Sequence, residues 1–575
     1  MIHQQEPVFD DTVTDPGNIR DWLYGCFRHH ETCRPIAAQF PRYDSHGNPR
    51  AGVSDLYFVD VINDRIVKGD IRWRYAALSY VWGEAAQTVS DRSNIKAFQK
   101  RGSLKSKNVK LSRLVKDAMA LAYSVGIDYL WVDSLCIVQD SPNKHDLLAR
   151  MDTIYSHATV TIAAIESESA HNPLPGIDRK SRYSLHPALR IGRNWFHTRP
   201  SSIIDAYLQS TIYNSRAWTF QELILSTRCI YMTNQQVFFR CRSGVWAETN
   251  PTKQLGVRAD MYARMLQNIS GGNRLQAYRE FVHDYSARRL SFEEDVLNAF
   301  SGITSIFASA QSWRFVEGVL LQHLASEILF IHETQPIRRV LADGKNGFPS
   351  WSWAGWNGRV RWNPSDMDMG EAWKSSWRKL CKSRPFILGP STMQDVEICL
   401  PMEATSRLQA QGAVQAQYAQ EAAPDALALS KTVKISRAQG PFDKLQGLDK
   451  FPAATSAPGS PSTALLQFQA RTIPATKLKI ELQFGDQTVF EQGICGPAYH
   501  IRNDDTRVGV LFGVESRDVS LIRLEDQSFN IVQVTSNGAL LVKRNAFGHD
   551  ERVGVAFFWE DGTFDDISPR LVSLA

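Results

Sequence analysis

Tyr75-Ala76-Ala77-Leu78-Ser79-Tyr80-Val81-Trp82-Gly83 is an almost unbroken apolar run of strand length that ends on a glycine. A strand with one wetted face alternates apolar and polar residues, whereas a run apolar throughout is covered on both faces, as inside a parallel sheet. The segments that follow carry the same theme. Leu111, Leu114, Val115, Ala118, Leu121, Ala122 and Val125 recur at helical spacing, and Gly126 supplies the stop. Residues 129–137 read as a second buried strand. Ser141-Pro142 reads as a cap and first-turn proline opening a helix with Leu147, Leu148, Met151, Ile154 and Tyr155 on one face. Residues 160–165 are a third strand, and 228–232 and 237–241 two more around Asn234-Gln235. The alternation predicts an α/β domain built on an open parallel sheet of five strands, with right-handed crossovers, closing near residue 250. Before it, residues 56–70 alternate and turn at Asn63-Asp64 like a hairpin.

Open α/β sheets bind ligands beyond the carboxyl ends of their strands. Ser79, Tyr80, Trp82 and Gly83 are therefore site candidates, with packing of the strand end as the alternative. Asp133 is a carboxylate in an otherwise apolar strand and needs a partner or water; it is either a site residue or a structural hydrogen-bond anchor. Asn214-Ser215-Arg216-Ala217-Trp218-Thr219-Phe220-Gln221-Glu222-Leu223-Ile224-Leu225-Ser226 reads as a helix capped by Ser215, with Trp218 and Glu222 stacked four apart. An aromatic plane beside a carboxylate suits a flat ring and developing positive charge; the alternative is a core tryptophan under a solvated glutamate.

At 575 residues the chain is too long for one small core. Hydrophobic content of 43% with 22% charged residues fits a globular protein, and a net charge of +5 is too small for nucleic-acid binding. The basic residues from Lys96 to Lys116 form a run with no acid between them, which a solvated face explains and which a phosphate-bearing ligand or an acidic partner would also suit. No signal peptide, no apolar run of about 20 residues and no disulfide framework among the eight cysteines are evident, so a cytoplasmic location is expected. Cys136 would serve as a nucleophile only beside a base; His145 and His157 follow it in sequence, but a buried structural cysteine is favoured. Cys26-x3-His30-x2-Cys33 offers three soft ligands where zinc wants four, and no pair of matching spacing follows nearby. A buried thiol-and-histidine patch, without metal, is the expectation there. No Gly-x4-Gly-Lys-Ser/Thr loop occurs.

The organisation reads as a lead segment (1–70), the α/β domain (71–250), a helical segment with a Trp-rich end (251–365) and a β-rich region (366–575). The helical segment shows Tyr278, Phe281, Val282 and Tyr285 at helical spacing and a further helical pattern from Asp295, and Trp351, Trp353 and Trp356 are expected to pack into a core. An Ala/Gln/Ser/Pro-rich insertion at 402–461 interrupts the last region, which returns to strand patterns at 478–482, 508–512 and 553–558.

Four ordered blocks carry a family resemblance. They are Tyr75 to Gly83 as quoted above, Leu130-Trp131-Val132-Asp133-Ser134-Leu135-Cys136-Ile137-Val138-Gln139-Asp140, Met151-Asp152-Thr153-Ile154-Tyr155, and Arg216-Ala217-Trp218-Thr219-Phe220-Gln221-Glu222. The chain resembles fungal heterokaryon-incompatibility (HET domain) proteins, and the likeness extends to residues 285–291 and 348–354. The resemblance implies a trigger of regulated cell death when unlike fungal cells fuse, an incompatibility partner protein, and self-association. The domain is also distantly similar to TIR domains, some of which cleave NAD+. Their first strand ends in a Ser-aromatic pair, as in Ser79-Tyr80, and a later helix carries Ser-x-Trp-Cys-x-x-Glu-Leu. Here Trp218 and Glu222 keep that spacing, while Ser215 lies one residue farther out and Thr219 replaces the cysteine. The resemblance implies a TIR-like, flavodoxin-like sheet, NAD+ as substrate rather than cofactor, Glu222 as catalytic carboxylate, and Ser79, Tyr80, Trp82, Gly83, Asp133, Trp218 and Gln221 around the nucleotide. A non-enzymatic signalling module that self-associates and recruits partners is the competing expectation.

Overall fold

The computed structural model describes residues 13–33, 54–362 with short breaks (85–86, 143, 149, 180, 183–188, 192–193, 197–200, 202, 257–259, 264, 266–273, 312 and 334–335), and, further on, 391, 393–400, 433–437, 465–475, 479–482, 498–503, 506–512, 528–535, 538–546, 548–558, 564 and 567–575. Two compact units emerge, Met1–Ala277 with Asn298–Ile306, and Tyr278–Leu297 with Phe307–Ala575.

The first unit opens with helix α1 (Pro16–His29), which starts where Asp15 accepts a hydrogen bond from Gly17 N at 2.8 Å. Then come β1 (Ser54–Asp60), β2 (Arg65–Asp70) and β3 (Tyr75–Ser79). The β1–β2 turn is the expected hairpin, with Asp64 in the left-handed region at φ 48°. Helix α2 (Ile95–Phe98) precedes α3 (Arg113–Ser124), whose cap Ser112 accepts from Val115 N and whose end is turned by Gly126 at φ 79°. After α3 come β4 (Tyr129–Trp131), helices α4 (Asp133–Cys136), α5 (Lys144–Leu148) and α6 (Met151–His157), and β5 (Val160–Ala163). A small hairpin of β6 (Leu189–Ile191) and β7 (Asn194–Phe196) stands apart. Helices α7 (Asp205–Leu208), α8 (Ile212–Ser215) and α9 (Ala217–Leu225) lead into β8 (Arg228–Met232), β9 (Val237–Cys241), β10 (Gly244–Ala247) and β11 (Asn250–Leu255).

One sheet of nine strands runs β11-β10-β9-β8-β5-β3-β4-β1-β2. Its centre, β4-β3-β5-β8, is parallel, and every residue of β3, β5 and β8 is buried, as the apolar run implied. The chain leaves β3 for β4 on one side and later crosses to β5 on the other. The order thus reverses at β3, and the carboxyl end of β3 is a topological switch point.

Four sequence expectations need correction. The sheet is mixed rather than wholly parallel, and has nine strands rather than five, because β1–β2 and β9–β11 add antiparallel edges. The second strand stops at Trp131: Asp133 opens a helical turn and its Oδ1 accepts from Ser134 N at 2.7 Å, so the carboxylate satisfies a helix-start amide instead of interrupting a strand. The helix expected after Pro142 is two pieces, α5 and α6. Ser215 ends α8 and donates to Ile212 O at 2.7 Å, and the residue before α9 is Arg216, extended at φ −85°, ψ 140°.

In the second unit Tyr278, Phe281, Val282 and Tyr285 are buried along one face of the helix Arg274–Ser286. Trp351, Trp353 and Trp356 are core residues, as expected, and the Trp353 indole donates to Gly318 O at 2.8 Å. Gly302, in the first unit, lies near the start of the helix Ser301–Gln311, which 3-10 turns precede. The C-terminal part is β-rich: an eleven-stranded sheet holds the expected strands at 479–482, 506–512 and 550–558. The insertion at 402–461 lies outside the described residues, except for the strand Val433–Arg437.

Candidate functional site

The last residue of β3, Ser79, is fully buried, and its hydroxyl donates to Glu222 Oε2. The same hydroxyl shares a hydrogen bond with the phenol of Tyr213 from α8. Glu222 comes from the middle of α9 and is 6% exposed. Around it stand Tyr155 of α6, which donates to Leu78 O at 3.0 Å, and Arg216, whose guanidinium donates to Tyr80 O at 2.6 Å. The extended backbone of Arg216 separates α8 from α9 and lets this cation reach back to the end of β3. A continuous helix through residue 216 would not leave that break.

Burial pushes the Glu222 carboxyl up to about 7, against the opposing pull of the Ser79 hydrogen bond and the Arg216 guanidinium, while the Asp133 charge adds to the rise. Asp133 is likewise raised by burial, opposed first by the Trp82 indole, which donates to Oδ2 at 2.7 Å, and then by Arg216. Tyr80 donates to Ser134 Oγ at 3.0 Å and lies beside Asp133, so its phenol is held well above its ordinary range by burial and that charge. Two carboxyls, one guanidinium and three buried phenols therefore converge on the switch point. A carboxyl titrating near neutrality in a water-poor setting can act as an acid, a base or a nucleophile.

Not all of the other expected site residues belong to this centre. Trp82 and Trp218 are both half-buried against the domain core, Trp218 one turn before Glu222 on the same side of α9. Gly83 has φ 64°, and a Cβ there would come within 2.5 Å of Ser169 Cβ, so glycine is demanded by the turn and by close approach. Gln221 is turned elsewhere: fully buried, it accepts from Gly302 N at 3.1 Å. Cys136 is buried and its thiol is pushed up to about 12 by that burial, the state of a structural cysteine. The basic residues from Lys96 to Lys116 are exposed, with Arg113 paired to Asp117 at 2.9 Å and Lys105 to Asp64 at 2.7 Å. A separate pocket of about 430 Å³, lined by Trp73, Arg74, Gly126, Asp128 and Tyr129, opens at the amino ends of β3 and β4, away from Glu222.

Tyr213, Tyr155 and Arg216 were not singled out as site residues by the sequence reading, although Tyr155 and Arg216 lie inside the blocks quoted above. Their signal was present as co-occurrence: the ends of β3, β4, α6 and α9 are the four blocks, and they meet here. A second convergence is that of Cys26, His30, Cys33 and Cys241, whose ligand atoms all lie within 4.8 Å of one another.

Residues 75–222 match the model of the heterokaryon incompatibility protein (HET) family, and this stretch of the chain is a HET domain. The match runs from the first residue of β3 to Glu222 itself. No curated protein and no solved structure matches the chain. The domain implies a role in heterokaryon incompatibility. No helix among the described residues is long and apolar enough to cross a membrane.

Proposed function

We propose that the HET domain acts in incompatibility as a cell-death effector that hydrolyses NAD+ at the nicotinamide–ribose bond, with Glu222 as its catalytic carboxylate. The observation that carries this reading is a carboxyl poised near pH 7, hydrogen-bonded by Ser79, at the carboxyl end of the strand where the sheet order reverses. The similarity of Ser79-Tyr80 and of the Trp218–Glu222 spacing to TIR domains supports the same choice of substrate.

Cleavage breaks the bond between ribose C1′ and the nicotinamide nitrogen, and the bonding electrons leave with neutral nicotinamide. The ribose is left oxocarbenium-like, and the ionised Glu222 carboxylate stabilises or traps that cation before water completes ADP-ribose and releases a proton. The positively charged nicotinamide ring suits an aromatic face, which Trp82 or Trp218 supplies. Because the ionised form is the working one, the rate rises as pH rises through about 7.

A second reading rests on the 6% exposure of Glu222: the carboxyl serves as a buried staple between α9 and β3 in a module that signals by self-association and partner recruitment. Incubating the purified full chain with NAD+, over a range of protein concentrations, separates the two. Nicotinamide release that disappears in Glu222→Gln supports catalysis. No release at any concentration or pH, or release unchanged in Glu222→Gln, overturns it.

A further inference from the structure

We propose that Cys26, His30, Cys33 and Cys241 bind one zinc ion that fastens helix α1 to the sheet of the first unit. The four donors come from separate places. Cys26 lies in the last turn of α1, His30 is the residue that ends that helix, Cys33 closes the 3-10 turn Glu31–Cys33, and Cys241 is the last residue of β9. Sequence spacing alone supplied three ligands; pairing of β9 in the sheet brings the fourth from more than two hundred residues away.

The geometry suits a tetrahedral ion. Zinc bonds of about 2.3 Å to sulfur and 2.0–2.1 Å to nitrogen set ligand atoms about 3.5–3.8 Å apart. Here all four atoms lie within 4.8 Å of one another, and Cys241 Sγ is 3.4 Å from His30 Nδ1. All three thiols are buried and none is in a disulfide. Three sulfurs and one imidazole are the donor set of structural zinc sites, and they disfavour the hard cations that prefer oxygen.

The surroundings add a buried charge to the apolar core in which the three cysteines sit. Arg228 is 4% exposed, and its Nε donates to Cys26 Sγ at 3.1 Å while Nη2 donates to Cys33 O at 2.7 Å. Its remaining hydrogen bond goes to Thr159 O at 3.3 Å, and no carboxylate among the described residues pairs with it. Apart from the Phe27 ring, whose centroid lies 4.1 Å from its guanidinium carbon, Arg228 faces thiols that compensate it only once they are ionised. Three thiolates, a zinc ion and Arg228 sum to zero charge. Ser243 Oγ, 3.6 Å from Cys33 Sγ, adds a hydroxyl toward the same sulfur. The His30 ring stacks on Trp246, with centroids 5.7 Å apart and planes 22° from parallel, which fixes the ring with Nδ1 toward Cys241.

The site is independent of NAD+ cleavage, and its test reads metal directly. Full-length protein from zinc-supplemented cells, purified under reducing conditions, is assayed for metal by mass spectrometry and for zinc set free by a mercurial. One zinc per chain is expected, retained in His30→Cys and in Cys136→Ala, and lost in Cys33→Ser and Cys241→Ser. Should the serine variants fail to fold, the wild-type content and the retention of zinc in His30→Cys decide the matter. Wild-type protein that carries no zinc and takes up none when it is added overturns the proposal. So does a disulfide joining two of these three cysteines in the reduced preparation.

Discussion

The first unit holds two polar clusters that use the same sheet in opposite ways. At the end of β3, Glu222 is kept where burial resists its charge, and its carboxyl titrates near 7 rather than at its ordinary 4.5. At the end of β9, the thiols and histidine face a guanidinium that welcomes negative charge. The first cluster makes the folded state less favourable at neutral pH and leaves a group ready to react. The second ties distant segments together. Buried polarity is thus a liability at one strand end and, with the ion bound, an anchor at the other.

The strongest way to break this comparison is at the anchor. Cys33→Ser is expected to cost at least about 4 kcal/mol or to prevent folding, and a zinc chelator should lower the melting temperature of wild type in the same direction. Thermal unfolding with and without chelator measures it, and a melting curve indifferent to both would remove the contrast. Glu222→Gln should do the reverse. The carboxyl is protonated in both states below pH 4, so its folded-state pKa of about 7 costs nothing there; as pH rises past the unfolded value of 4.5 the unfolded chain ionises first, and stability is lost until about pH 7. That interval, at about 1.4 kcal/mol per pH unit, amounts to about 3 kcal/mol. The glutamine variant should therefore be about 3 kcal/mol more stable than wild type at pH 8 and equal to it near pH 4, as denaturant unfolding at the two pH values would reveal.

Ser79→Ala sharpens the comparison from inside the first cluster. The hydroxyl that donates to Glu222 favours its charged form, so removing it should move the midpoint of nicotinamide release upward by about one pH unit. A rate–pH profile that stays in place would mean that Ser79 does not tune the carboxyl. The smallest effect belongs to the surface. Lys105 pairs with Asp64 at 2.7 Å but is 77% exposed, so Lys105→Ala should change stability by less than about 0.5 kcal/mol. It gives the baseline against which both buried clusters are judged.

Much of the fold was legible because local chemistry and global placement agree. The all-apolar run at β3, Gly126 after α3 and Asp64 in the β1–β2 turn each state their role within a few residues. Legibility failed where a tertiary contact overrides local preference. Residues 129–137 look like one strand, yet Asp133 prefers to satisfy Ser134 N and the Trp82 indole, and the strand ends. Ser215 looks like a cap, yet Arg216 is drawn out to Tyr80 O and the helix is split. The hairpin at 56–70 was legible, but its place on the edge of this sheet was not, because the strand it pairs with, β4, lies far along the chain.

The sequence by itself determined the parallel centre of the sheet, the presence of a HET domain, and the identity of Glu222, Ser79 and the two half-buried tryptophans as the residues to watch. Those are properties of short blocks: periodicity exposes the strands and their ends, and the HET domain is carried by the resemblance of the ordered blocks to that family. Only the tertiary structure decided that Glu222 meets Ser79, Tyr213, Tyr155 and Arg216 in one buried cluster, that Gln221 turns away toward Gly302, and that Cys241 joins Cys26, His30 and Cys33. A carboxyl's acidity and a metal site's fourth ligand depend on what lies within a few ångströms in space, and that is set by strand order and register, which no short stretch of sequence contains.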